Sequence, residues 1–267
     1  MKQFTGKTAA VTGAASGIGR CLALDFARRG MDIAAADIEQ APLDRVRGEI
    51  EALGRKCLTV MTDVASPQAV QAFADAAFSR FGAVHILCNN AGVAVSGPMD
   101  KATHADWQWV LGVNLWGVIH GLEAFLPRMI AQRQEGHIVN TASMAGMIAS
   151  KDFGIYNASK YAVVGISETL VKELRDHGIG VSVLCPMGVK TGITSSERNR
   201  PAALAAPKTR EEIPLLLGDY LRPEDVSRRV LDAIEANEFY VFTHPEGLEF
   251  IERRFERIRK AYGRIMS

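Results

Sequence analysis

Residues 8–19 of the chain read TAAVTGAASGIG, a short apolar run followed by three closely spaced glycines and a helical pattern over 20–29. Glycine has no Cβ, so it permits a tight turn and lets another group approach the backbone closely. A strand, a glycine-rich turn and a helix in direct succession are typical of a doubly wound α/β sheet. The stretch therefore predicts that a parallel sheet begins at Thr8.

The same alternation continues along the chain. Five further apolar runs, each followed by a helix candidate, cover residues 32–36, 57–61, 84–88, 137–141 and 181–185. Because these runs are continuously apolar instead of alternating with polar residues, both faces of the sheet should be covered. The sequence predicts an α/β fold, a Rossmann-type doubly wound parallel sheet with helices on both faces, in a single domain spanning 1–267.

Two later regions depart from this pattern. Residues 188–222 contain three prolines and no clear strand, so we predict a substrate loop or lid there. A helix then runs to about Asn237, followed by a short strand at 239–243 and a helical tail at 245–267. We expect the tail to dock on the body or on another subunit, because apolar residues recur in it at helical spacing: Ile251, Phe255, Ile258, Tyr262 and Ile265.

Composition excludes several classes of protein. The formal net charge is +1 and the pI about 7.7, so we expect no general attraction to nucleic acid or to an anionic membrane. The first seven residues lack the apolar stretch of a secretory signal, and no later segment reads as long and apolar enough to span a bilayer. The prediction is a cytoplasmic protein.

Cysteines and histidines show no ligand spacing. Cys21, Cys57, Cys88 and Cys185 are far apart and are expected to be reduced and packed as small apolar side chains. The six histidines form no metal-binding pattern, so no metal site is predicted. The absence of Gly-x-Ser-x-Gly removes the commonest hydrolase interpretation.

The glycine-rich turn is suited to a dinucleotide. Gly13, Gly17 and Gly19 would let a pyrophosphate approach the backbone at a helix N-terminus. Asp37 ends the next strand, where a carboxylate accepts hydrogen bonds from both ribose hydroxyls and repels a 2′-phosphate. No basic residue stands at Ser16 or Ile38 to receive that phosphate, so NAD is favoured over NADP.

Two further stretches extend the predicted cofactor groove along the same edge of the sheet. Asp63 and Val64 follow the third strand and could meet the adenine amino group, and small residues after the fourth strand let the backbone pass under the adenosine ribose. The cofactor set predicted from these segments is Gly13, Ser16, Gly17, Ile18, Gly19, Asp37, Asp63, Val64, Asn90, Ala91 and Gly92.

Tyr156 and Lys160 lie at i and i+4, on one helix face. Tyrosine has a pKa of about 10, and a nearby ammonium should lower it. Tyr156 would then exchange a proton with an alcohol oxygen while hydride is transferred, and Lys160 would also donate to the nicotinamide ribose. Ser143, after the fifth strand, is placed to bond the substrate oxygen.

From Gly6 to Thr191 the chain resembles the short-chain dehydrogenase/reductase (SDR) family. The glycine-rich turn, the Asn89-Asn90-Ala91-Gly92 stretch, Ser143 and Tyr156-x-x-x-Lys160 occur in the family's order and spacing. The resemblance implies that Asn114 is the fourth catalytic residue, which distorts its helix and holds a water of a proton relay.

The resemblance also implies contacts after the sixth strand. Pro186, Val189 and Thr191 would lie against the nicotinamide, and Met187 stands where the family commonly has a glycine. A homotetramer or homodimer is implied, built through the long helices beginning near Thr103 and Gly154.

The predicted substrate positions are mostly apolar: Met144, Ala145, Met147, Phe153 and Met187. They favour a hydrophobic secondary alcohol or its ketone, aromatic or terpenoid, over a sugar or a charged acid. The tail from Tyr240 resembles that of some family members acting on bulky aryl alcohols. Two alternatives stay open: an NADP-dependent carbonyl reductase, and a non-catalytic dinucleotide-sensing protein. The second would have no need of Ser143, Tyr156 and Lys160 together.

Overall fold

The computed structural model describes residues 1–205 and 220–265. In this part of the chain, the strands are β1 (Thr8–Thr12), β2 (Asp32–Asp37), β3 (Cys57–Met61), β4 (Ile86–Asn89), β5 (Gly136–Thr141), β6 (Ile179–Cys185) and β7 (Tyr240–Phe242). The helices are α1 (Gly17–Arg28), α2 (Gln40–Ala52), α3 (Pro67–Phe81), α4 (His104–Leu111), α5 (Gly117–Ala131), α6 (Gly154–Glu173), α7 (Pro223–Ala236) and α8 (Gly247–Gly263).

The strands form one parallel sheet in the order β3-β2-β1-β4-β5-β6-β7. The chain leaves β1 in one direction toward β3 and returns at β4 to build the other half. The carboxyl ends of neighbouring strands β1 and β4 therefore flank a topological switch point, where such sheets bind ligands. The predicted doubly wound architecture is confirmed.

Both faces of the sheet are covered. On one face, α1, α2 and α7 bury a cluster that includes Phe26, Ile33 and Val230. On the other, α3, α5 and α6 bury a second cluster around Phe73 and Phe125, whose ring centres are 5.4 Å apart. Two-sided burial explains why the central strands read as continuous apolar runs.

Helices α4 and α5 are joined by a π-helical turn, Gly112–Trp116, into one helix from His104 to Ala131. By length and composition this helix could cross a membrane, so the expectation that no segment is long and apolar enough was wrong. Half of its most apolar window is buried inside the protein, where it packs against α3 and α6.

Residues 188–205 belong to the region predicted as a substrate loop, and for these residues we keep the name substrate loop. They contain two short 3-10 helices, Gly192–Asn199 and Ala202–Leu204. The two prolines at 207 and 214 lie outside the described residues.

A buried ion pair anchors this loop to α4. An Nη of Arg200 donates to Oδ1 of Asp106 at 2.6 Å, and the two side chains are only 4% and 0% exposed. The guanidinium lies 4.9 Å from the ring centre of Trp109. The second oxygen of Asp106 accepts from the backbone N–H of Thr103 at 2.8 Å, so the carboxylate also caps α4.

We predict that Arg200→Ala lowers the free energy of unfolding by about 3 kcal/mol, because removing one member of a buried pair is costly. Urea denaturation measures the change. Arg253→Ala is the control, since Arg253 and Glu249 form an exposed i,i+4 pair and its loss should change stability little. Equal effects of the two substitutions would contradict the buried anchor.

Candidate active site

A cavity of about 870 Å³ opens at the carboxyl edge of the sheet. Of the predicted site positions, Gly19, Asn114 and Met147 do not line it. The predicted residues that do are Gly13, Ser16, Gly17, Ile18, Asp37, Asp63, Val64, Asn90, Ala91, Gly92, Ser143, Met144, Ala145, Phe153, Tyr156, Lys160, Pro186, Met187, Val189 and Thr191. Met147 is partly buried and packs against the core cluster that contains Val118 and Val163.

The glycine-rich turn forms one end of the cavity. Gly13 and Gly17 have φ of +66° and +53°, a region that side chains with a Cβ rarely adopt. A Cβ on Gly19 would lie 2.1 Å from the carbonyl oxygen of Gly13, which explains why Gly19 packs the turn against α1. Ser16, Gly17 and Ile18 bring the N-terminus of α1 to the cavity wall, an environment that favours an anionic phosphate.

Asp37 stands at the end of β2 on the same wall. Its Oδ2 accepts from the N–H of Ala15 at 2.9 Å, and its Oδ1 accepts from the N–H groups of Ile38 and Glu39 at 2.7 and 3.1 Å. Burial raises the pKa of the carboxyl, and the three N–H donors act in the opposite direction. The three bonds hold the Asp37 carboxylate in place beside the glycine-rich turn. A fixed carboxylate can accept hydrogen bonds from ribose hydroxyls.

The ends of β1 and β4 are tied together across the switch point. Thr12 Oγ1 accepts from the N–H groups of Asn90 at 3.0 Å and Ala91 at 3.1 Å. Asn90 Nδ2 donates to the carbonyl of Thr12 at 3.0 Å. These bonds fix the backbone that forms the middle of the cavity.

At the other end, Tyr156 and Lys160 enter the cavity from α6, and Ser143 enters from the segment after β5. Lys160 is buried, and its Nζ donates to the carbonyl of Thr141 at 2.8 Å. The Nζ lies 5.6 Å from the centre of the Tyr156 ring. Burial lowers the pKa of Lys160 to about 8.

Tyr156 differs from the expectation based on a nearby ammonium. Burial raises the pKa of its phenol to about 12, while a hydrogen bond with Ser143 acts to lower it. Burial is the larger of the two effects on the phenol. The Lys160 Nζ is bonded to the carbonyl of Thr141 and not to the Tyr156 hydroxyl. Each pKa shift favours the neutral form of its own group, the phenol of Tyr156 and the amine of Lys160.

Asn114 lies in the π-helical turn and is completely buried. Its Oδ1 accepts from the N–H of Val93 at 2.8 Å, and its Nδ2 donates to the carbonyl of Val93 at 2.9 Å and to Ser159 Oγ at 3.1 Å. The helix distortion implied by the family resemblance is present. The side chain sits behind the cavity wall and joins the α4–α5 helix to the residue before Lys160.

Several residues that sequence reasoning missed also line the cavity. Trp109, Leu204, Tyr220 and Phe250 come from four separate segments and add apolar or aromatic surface. They carry no local signal, because only the fold brings α4, the substrate loop, the segment at Tyr220 and α8 to one place.

A second missed feature crosses the cavity mouth near Asp37. An Nη of Arg198, in the substrate loop, donates to the carboxylate of Glu39 at 2.9 Å. Glu39 is two residues beyond Asp37, so its proximity to the groove was the one signal available in the sequence.

The first turn of α8 closes the apolar end. A Cβ on Gly247 would lie 2.9 Å from Met144 Cε and 3.4 Å from Met187 Sδ, so a side chain at this position would require Met144 to move. The Phe153 ring meets the Tyr156 ring edge to face, with centres 6.3 Å apart. The predicted substrate positions therefore form an apolar end beside the phenol.

The chain was compared with known proteins. A family model described as short chain dehydrogenase matches residues 7–202. An SDR from Burkholderia phymatum, solved in complex with NAD, is 43% identical, with a TM-score of 0.93 over 98% of this chain and 97% of that chain.

Two curated relatives also match over most of their length. C alpha-dehydrogenase of Sphingobium sp. is 36% identical, covering 97% of this chain and 87% of the relative. 1-deoxy-11-beta-hydroxypentalenate dehydrogenase of Streptomyces exfoliatus is 32% identical, covering 94% and 88%. With the parallel sheet and the cavity at its switch point, these matches show that the chain belongs to the short-chain dehydrogenase/reductase family and is an oxidoreductase acting on CH–OH groups.

Proposed function

We propose that the protein is an NAD-dependent enzyme that interconverts a hydrophobic secondary alcohol and its ketone. The observation that carries the proposal is that one cavity joins the glycine turn and Asp37 to Ser143, Tyr156 and Lys160. Cofactor and proton-transfer groups in a single cavity argue for chemistry and against a dinucleotide sensor. The NAD found in the Burkholderia relative supports the choice of cofactor.

The chain would hold the dinucleotide along the sheet edge. The turn at Gly13 and the N-terminus of α1 would receive the pyrophosphate, and Asp37 would accept from the ribose hydroxyls. Asp63, Val64, Asn90, Ala91 and Gly92 would border the adenosine, with Pro186, Val189 and Thr191 at the nicotinamide end. When bound, the nicotinamide supplies the carbon that accepts or returns hydride.

Tyr156 would exchange the proton. In oxidation, the phenolate form of Tyr156 would accept the alcohol proton as the carbon loses hydride to the cofactor, and in reduction the phenol would return that proton. The positive charges of Lys160 and of the oxidised nicotinamide would stabilise the phenolate. Ser143 would bond the substrate oxygen as its charge changes. Lys160 would place positive charge near the phenol and bond the nicotinamide ribose. Asn114 would hold the water that links Lys160 to solvent as a proton relay, as the family resemblance implies.

The walls near Tyr156 support an apolar substrate. The cavity is lined there by four predicted apolar positions, Met144, Ala145, Phe153 and Met187. Trp109 and Phe250 add aromatic surface to the same cavity. Such a lining favours an aromatic or terpenoid alcohol over a sugar. One relative is named as the dehydrogenase of 1-deoxy-11-beta-hydroxypentalenate. The lid role of residues 188–222, the cytoplasmic location and the homotetramer or homodimer stay predictions.

The first experiment measures NAD reduction against secondary alcohols graded from small aliphatic to bulky aryl. Activity should rise with apolar bulk. We predict that Tyr156→Phe lowers kcat/KM about 10²- to 10⁴-fold, because the proton acceptor is lost. Tyr161→Phe is the control on the same helix, outside the cavity, and should keep its activity. Wild-type turnover by Tyr156→Phe would refute the assigned role, and activity restricted to charged hydroxy acids would refute the substrate class.

Cofactor choice is tested at Asp37. We predict that Asp37→Asn raises the ratio of kcat/KM with NADP to kcat/KM with NAD at least about tenfold, since a carboxylate near a 2′-phosphate repels it by more than about 1.4 kcal/mol. Asp63→Asn removes a charge elsewhere in the same cavity and should leave the ratio unchanged. A wild-type ratio above one would instead favour the NADP-linked carbonyl reductase.

Lys160 should carry a stability cost. Its pKa falls from 10.5 when unfolded to about 8 when folded, so the cost is fully present below pH 8 and disappears above pH 10.5. We predict that Lys160→Met abolishes turnover yet raises the free energy of unfolding at pH 7 by on the order of 1–3 kcal/mol.

Urea unfolding at pH 7 and pH 9.5 provides the measurement. The stability gap between Lys160→Met and the wild type should shrink at the higher pH. A gap that does not change with pH would mean that Lys160 titrates normally in the folded protein.

A further inference from the structure

Helix α8 carries an apolar stripe on its surface. The stripe consists of six residues separated alternately by three and four positions: Leu248, Ile251, Phe255, Ile258, Tyr262 and Ile265. Apart from the half-buried Ile251, these side chains are between 39% and 81% exposed. Large apolar side chains in a continuous exposed row mark an interaction surface.

The body of the protein contacts a different side of α8. Gly247 packs against Met144 and Met187, Phe250 lines the cavity, and the Arg254 guanidinium lies 5.5 Å from the Tyr161 ring centre. From Phe255 to Ile265, every residue of the tail is exposed. Within the described part of the chain, the second half of the stripe therefore has nothing packed on it.

The spacing identifies the kind of surface that fits. Alternating steps of three and four give a repeat of 3.5 residues, which is the a and d pattern of a two-helix coiled coil. Leu248, Phe255 and Tyr262 occupy a positions, and the three isoleucines occupy d positions. A helix that lies on a membrane needs a wider apolar face than this narrow row. We propose that the stripe packs against the same stripe of a second copy of this chain, with the two helices antiparallel.

The flanking charges select the antiparallel orientation. Glu252 and Arg259 occupy e positions, and Arg254 occupies a g position. In an antiparallel pair, e positions face each other, so Glu252 would meet Arg259 of the partner subunit, and the contact occurs twice. In a parallel pair, Arg254 would face Arg259 of the partner subunit, and two cations would repel.

The pairing also bears on the cavity. Because Phe250 and Gly247 lie in the first turn of α8, fixing the rest of the helix would hold both residues against the apolar end. This surface is separate from the helices beginning near Thr103 and Gly154, through which the family resemblance implies assembly.

A thiol cross-linking experiment on the full-length protein tests the proposal. With Phe255 opposite Ile258 of the partner subunit, two copies of residue 258 are about 4.5 Å apart along the helix axis, and two copies of residue 265 are about 26 Å apart. Ile258→Cys treated with a short bis-maleimide should become a covalent dimer. Ile265→Cys should remain uncross-linked.

Three controls make the result decisive. Residue 260 lies on the opposite side of α8, so Lys260→Cys should not form a dimer. The wild-type protein treated with the same reagent reports any reaction of the partly buried Cys57, and it should not form a dimer either. NADH fluorescence confirms that each variant is folded. Cross-linking of Ile265→Cys would overturn the antiparallel orientation, and failure of Ile258→Cys would overturn the pairing. Co-sedimentation of the wild type with phosphatidylserine vesicles, without cross-linking, would assign the stripe to a membrane.

Discussion

The site depends on the connection between β1 and β4 at the centre of the sheet. β1 and β4 are neighbours in the sheet, and the segments that follow them lead away in opposite directions. The Thr12 hydroxyl holds the two strand ends together by accepting hydrogen bonds from the backbone N–H groups of Asn90 and Ala91. The same contact leaves no room for a side chain at Gly13, whose added Cβ would lie 2.8 Å from Ala91 Cα. These contacts fix the backbone in the middle of the cavity, between the glycine-rich turn and the end that holds Tyr156.

The catalytic end shows how burial and charge compete. Lys160 is buried, and its Nζ donates to the carbonyl oxygen of Thr141. Burial also raises the pKa of Tyr156 and so favours the neutral phenol. Burial moves the two pKa values apart, raising that of the Tyr156 phenol and lowering that of the Lys160 ammonium, so each group is held closer to its neutral form than in water. A low-stability arrangement is the expected consequence at a functional site.

The apolar end is built from parts that are distant in the chain. The substrate loop is anchored by the buried contact between Arg200 and Asp106, and α8 reaches the cavity through Gly247 and Phe250. Under the proposed function, substrate selection would lie in the segments that depart from the regular alternation of strands and helices. The sheet and its glycine turn provide the shared chemistry, and these later segments shape what can reach it.

By itself, the sequence determined the fold class and the positions along the chain of the groups proposed to act, because burial on both sheet faces and the need for glycine are local constraints. Strand β1 and strand β3 were predicted with the bounds observed, and Asp37, Ser143, Tyr156 and Lys160 all reach one cavity. Tertiary structure alone decided the direction of the Tyr156 pKa, the buried partner of Arg200, and the walls formed by Trp109 and Phe250. Each of these depends on burial or on contacts between residues far apart in the chain, and neither quantity is encoded in local spacing.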